Sequence, residues 1–184
     1  MTDTADDFAR AVATLIEHHV RPDIIVSEAP APGRLAPHAY AVTAEVGVDP
    51  EIGSGRFVVL HDPSTPAAWG SDTRIVIYVE ADIDPEMAQD QLLTEIGWAW
   101  LQDCLAGLSA PVSALGGTVT AVRSTSFESL SARGHETSIQ IRASWSGSGL
   151  PDLSEHYAAW IALLELCAGL PPYHPDVTRI GDIL

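Results

Sequence analysis

DPEMAQDQLLTEIGWAWLQDCLAGL, residues 84–108, reads as one long helix around which the rest of the chain is organised. Asp84 suits the N-cap, Pro85 the first helical position, and Gly107 with Leu108 a left-handed C-terminal stop. At about 100° per residue, Leu92, Leu93, Ile96, Gly97, Trp100, Leu101, Cys104 and Leu108 form one broad apolar arc with Trp100 near its centre. An arc that wide has to meet a sheet. Trp98 and Leu105 lie outside it, and with Leu101 between them they make a second stripe that calls for another helix or another copy of the chain.

The flanking sequence supplies that sheet. Residues 4–20 are amphipathic, with Phe8, Val12, Leu15, Ile16 and His19 on one face, and predict a surface helix. DIIVSE (23–28) is a short strand, and the proline-rich APAPGRLAP (29–37) an extended connection packed over the domain. From His38 to Val48 apolar and polar residues alternate, as in a half-buried strand. DPEIGSG reads as a turn. RFVVLH (56–61) is apolar without interruption, which predicts a central strand covered on both faces. TRIVIYVEADI (73–83) alternates again and leads into the long helix.

Beyond Pro111, residues 116–127 and 137–145 predict two more strands, joined by a link around Arg133 and Gly134. Asp152 and Glu155 have capping-box spacing at the start of a last helix that is apolar almost all round, and Gly169 to Pro172 end it. Short connections between successive strands favour antiparallel pairing. The expectation is one α+β domain over 1–184, an antiparallel sheet of about five or six strands packed by helices, in the order helix, three or four strands, helix, two strands, helix, with a loosely docked tail at 173–184.

Charge narrows the function. Acids number 25 against 9 bases, for a net charge of −16, and every base is arginine. Such a field repels phosphate backbones, so direct nucleic-acid binding is not expected. Cys104 and Cys167 fall at apolar helical positions, where cysteine acts as a small hydrophobe, and suit a reducing compartment. The acidic start MTDTADDF is unlike a signal peptide, and no apolar run is long enough to span a bilayer. A cytoplasmic protein with no membrane partner follows.

Chemical signatures are sparse. Glu80, Asp82, Asp84 and Glu86 could hold a hard cation, yet strand exposure, helix capping and the helix dipole explain them without a metal. His61 and Asp62 stand at a strand end before a proline-rich loop, where a base and its orienting carboxylate can sit, although Asp62 also suits the turn at Pro63. GSG at 53–55 and at 147–149 are turns, lacking the lysine of a phosphate loop. Thr118, Thr120, Gln140, Arg142 and Ser144 share a polar strand face able to receive an anionic group, or simply a solvated face. No catalytic residue, cofactor or metal site is assigned. The interface candidates are Trp98, Leu101 and Leu105.

Several long stretches, in order, carry a likeness: RPDIIVSEAPAPGRLAPHAYA (21–41), GRFVVLHDP (55–63), EADIDPEMAQDQLLTEIGWAWL (80–101), GGTVT (116–120), IQIRASW (139–145), and the AAW and AGLPP of the last helix and its stop. With them the chain resembles an actinobacterial family known only as domain of unknown function 3000, DUF3000. That family's pattern carries glycine after the phenylalanine of its S-x-x-F segment, where this chain has Glu128, so a special turn there is in question. The resemblance implies a cytoplasmic single domain and no activity, cofactor or catalytic residue. The element order is also similar to that of secretion-chaperone-like proteins. Together these features favour a non-enzymatic protein-interaction or chaperone-like module, a possible homodimer with an unknown protein partner. The alternative is a small-molecule enzyme or ligand sensor with a pocket near His61, Asp62 and Arg142.

Overall fold

A computed structural model describes residues 4–47 and 50–173. Strands β1 (Ile24–Ala29), β2 (His38–Val46), β3 (Gly53–His61), β4 (Thr73–Asp82), β5 (Ser113–Thr125) and β6 (His135–Ser146) form one six-stranded sheet in the order β1-β2-β3-β4-β6-β5. Every neighbouring pair is antiparallel. Helices α1 (Thr4–Ile16), α2 (Leu93–Ala106) and α3 (Leu153–Cys167) complete an α+β fold. The expected tail lies, apart from Tyr173, outside the described residues, as does Val48 at the expected end of β2.

Strand alternation sorts the sheet into two unlike faces. Val42, Phe57, Ile77 and Ala143 stand in one cross-strand row, and Ala44, Gly55, Val79 and Ile141 in the next. These rows lie beneath the helices. α3 packs on β3 and β4 and touches both other helices. Its residues Leu153, Tyr157, Trp160, Ile161, Leu163 and Leu164 are accordingly all buried, as an all-round apolar helix requires. The opposite face carries a smaller cluster, Ala41, Val58 and Leu60, packed by Ala29, Ala36, Ala39 and Trp69. The proline-rich segment and the Trp69 loop thus cover the outer side of β3, which is why its apolar run is buried on both sides.

Residues 84–108 do not form one helix. Asp84 accepts the backbone N–H of Glu86, Met87–Gln89 make a single 3-10 turn, and Asp90 turns to extended backbone before accepting the N–H of Leu92. The two aspartates bond their own backbone two residues on, which competes with helix propagation and delays α2 to Leu93. The buried stripe is also rotated: Leu93, Gly97, Leu101 and Leu105 face inward, while Trp98 and Trp100 both flank the contact half-buried. Gly97 sets that line. A Cβ there would stand 2.8 Å from Ile139 Cδ1 and 3.1 Å from Val119 Cγ1, so the helix approaches the sheet closest where a side chain is missing.

Two further expectations change for related reasons. Gly53–Gly55 belongs to β3 rather than to a turn, and Gly55 leaves room for the Trp160 indole, whose Cζ2 would be 3.0 Å from an added Cβ. Asp152 does not cap α3 with its side chain; Glu155 instead accepts the backbone N–H and hydroxyl of Ser109, tying α3 to the end of α2.

Candidate functional site

His61 and Arg142 lie on opposite faces of the sheet, so no pocket joins them. His61 is 3% exposed on the helix side, its ring stacked on Phe8 at a 6.0 Å centroid distance and tilted against His38. Its Nδ1 is 3.4 Å from the Thr73 hydroxyl, which donates to Asp72 at 2.9 Å. His61 and Thr73 are buried, whereas Asp72 is half-buried and lines an open cleft beside α1 with Asp7 and Arg10. Asp62 forms the turn expected of it, accepting the Ser64 N–H at 2.9 Å, and hydrogen bonding to the Ser64 side chain first, then to that N–H, holds its carboxyl below the usual range.

The polar strand residues do come together, on the face away from the helices. Thr118 pairs with Arg142 and Thr120 with Gln140, and β4 extends both rows with Tyr78 and Glu80. Arg56 closes the first row from β3, giving Arg56, Tyr78, Arg142 and Thr118 in line across four strands. Below them Glu80 is fully engaged. It accepts the Tyr78 hydroxyl at 2.6 Å, the Gln140 amide at 2.8 Å and the Ser138 hydroxyl at 3.3 Å. The Tyr78 bond first, with those from Gln140 and Ser138, holds its carboxyl low against partial burial. Burial and the same carboxylate push the Tyr78 phenol up to about 12, so it remains a donor at neutral pH.

Above this row lies an open groove of about 560 Å³, floored by Val58 and Val76 and bounded by Arg56, Tyr78, Arg142 and Ser144. The Arg142 guanidinium rests over the Tyr78 ring, 5.1 Å from its centroid. Arg74 donates to the Ser144 and Ser146 hydroxyls and to the Ala114 carbonyl, and Arg56 donates to the Pro30 carbonyl. Three of the chain's arginines therefore share this face, and among the described residues none of them is ion-paired with a carboxylate. An unpaired guanidinium beside an apolar floor suits a ligand that is partly apolar and anionic.

Arg56, Arg74, Val58, Val76 and Tyr78 were not singled out from the sequence. Alternation along β4 puts Arg74, Val76, Tyr78 and Glu80 on one face, but only the placement of β4 between β3 and β6 joins that face to Arg142. The interface candidates have a different fate. Leu101 and Leu105 are 1% and 7% exposed, buried in the core where α2 meets the sheet and α3, and Trp98 is half-buried.

A family model described as a protein of unknown function, DUF3000, matches residues 4–178. Neither a curated protein nor a solved structure matches the chain.

Proposed function

The chain belongs to the DUF3000 family, described only as proteins of unknown function, and we propose that it is a non-enzymatic interaction module whose open sheet face receives an acidic, partly apolar segment of a partner protein. The observation that carries this is the Arg56–Tyr78–Arg142 row above the Val58 and Val76 floor: guanidiniums that form no salt bridge among the described residues, on one face of a chain with a net charge of −16. Partner carboxylates would meet the guanidiniums while its apolar side chains cover the valines. The long-range field of the whole chain opposes such a partner, so recognition depends on close contact rather than on steering.

An enzymatic reading is less well supported, because His61 and Thr73 are buried, with Phe8 of α1 stacked on the imidazole. The test is selection from a displayed peptide library with the full chain. Enrichment of acidic and apolar residues, lost with Arg142→Glu, is expected. Equal capture by wild type and Arg142→Glu would remove this face from the function. A homodimer dispersed by Arg142→Glu would place a second copy there instead of a partner segment.

A further inference from the structure

The underside of α1 holds a cavity distinct from the open sheet face. It measures about 310 Å³ and lies between the C-terminal turn of α1 and the first two strands, with apolar walls from Leu15, Val26 and Val42. Its polar groups are few: buried Tyr157, half-buried Tyr40 and His18, and exposed Glu28. A mostly apolar hollow of this size with a small set of polar groups has the make-up of a small-molecule site.

Tyr157 makes the case specific. The residue is 3% exposed, and among the described residues its hydroxyl has no hydrogen-bond partner. That hydroxyl is open to the cavity rather than sealed, since the enclosed polar side-chain atom without a partner among the described residues is His156 Nε2, so its partner comes from the cavity. The ring cannot turn away to find it, because Phe57 at 5.6 Å, Trp160 at 5.5 Å and His18 at 5.4 Å box it in, two of them edge-on. The hydroxyl edge is what Tyr157 is left to present to the cavity.

We infer that this cavity is a binding site for a small, uncharged, largely apolar molecule carrying one hydrogen-bond acceptor, which Tyr157 satisfies. Charge selects the class. Glu28 lines the cavity and disfavours an anion, and because it is exposed to water it offers a buried cation only a screened partner. Burial pushes the Tyr157 phenol up to about 12, so it stays a donor, and lowers His18, which keeps the imidazole neutral.

The experiment titrates the full chain with three probes of one shape, acetophenone, benzoate and benzylamine, while following the Leu15 and Val26 methyl signals by NMR. Acetophenone is expected to shift these methyls and to bind ahead of the two charged probes. Tyr157→Phe should weaken it roughly three- to tenfold, the worth of one neutral hydrogen bond. Val26→Trp, which fills the cavity, should abolish it. Equal affinity for wild type and Tyr157→Phe would overturn the assignment, as would preference for a charged probe, shifts confined to Val58 and Val76 on the open face, or no shift at millimolar acetophenone, which would mean that the cavity holds only water.

Discussion

Glu128 has a φ of +52°, between Phe127 and the 3-10 turn Glu128–Arg133 that links β5 to β6. A side chain in that left-handed region costs roughly 1–2 kcal/mol, which glycine does not incur. The turn whose presence the glutamate put in question therefore forms, with strain. Glu128→Gly should raise stability by about 0.5–1 kcal/mol in denaturant unfolding, the entropy of glycine in the unfolded chain offsetting part of the gain. His156 is a second residue held against its preference. The Trp145 indole donates to its Nδ1 at 3.2 Å, which leaves the proton on Nε2, and Nε2 has no partner. Burial lowers its pKa from 6.5 against the pull of Asp152 and Glu155. The unfolded chain then takes up a proton that the folded chain refuses. Stability is present in full above the unfolded value of 6.5 and falls as the pH drops through it towards the lower folded value, by at most about 1.4 kcal/mol per pH unit for one proton. His18 adds a shift of the same sign. An NMR titration midpoint for His156 at or above that of a free imidazole would contradict this.

At the scale of the element, α2 shows how local polar competition and close packing override a helical pattern. Periodicity made residues 84–108 one helix with Trp100 at the centre of its buried arc, yet the aspartate turns hold 84–92 out of the helix and Gly97 rotates the contact line. Amides within 85–92 should exchange with solvent well ahead of those of 97–105 in native-state hydrogen exchange, and Asp84→Ala should leave the helical signal of α2 intact. Uniform protection from 86 to 105 would restore the long helix. Leu101→Ala, in the line of closest approach, should cost roughly 2–5 kcal/mol, measured by chemical denaturation.

For the whole molecule, a helix-covered face and an open face share one sheet, and β4 runs through the middle of both. Val76 points to the open groove, whereas Ile77, 2% exposed, points beneath the helices. Ile77→Asp should prevent folding, because it buries an unpaired carboxylate, while Val76→Asp should change stability by no more than about 1 kcal/mol. Thermal melts of the two variants decide it, and comparable losses would mean that the outer face is covered too. The open face joins residues from β3, β4, β5 and β6, and no helix long and apolar enough to cross a membrane occurs among the described residues.

The sequence by itself determined the α+β class and nearly all the strands, because alternation with a period of two is local and survives whatever the neighbours are. It also determined which strand is covered on both faces, since β3 declares this in an unbroken apolar run. Tertiary structure decided the rest. Strand order set Arg56 beside Tyr78 and Tyr78 beside Arg142, and sent His61 to the other face. Packing decided that Leu101 and Leu105 are buried in the core, and that α1 leaves a hollow beside Tyr157. Residues far apart in the chain are brought together only by pairing and packing, and no spacing along the sequence encodes that neighbourhood.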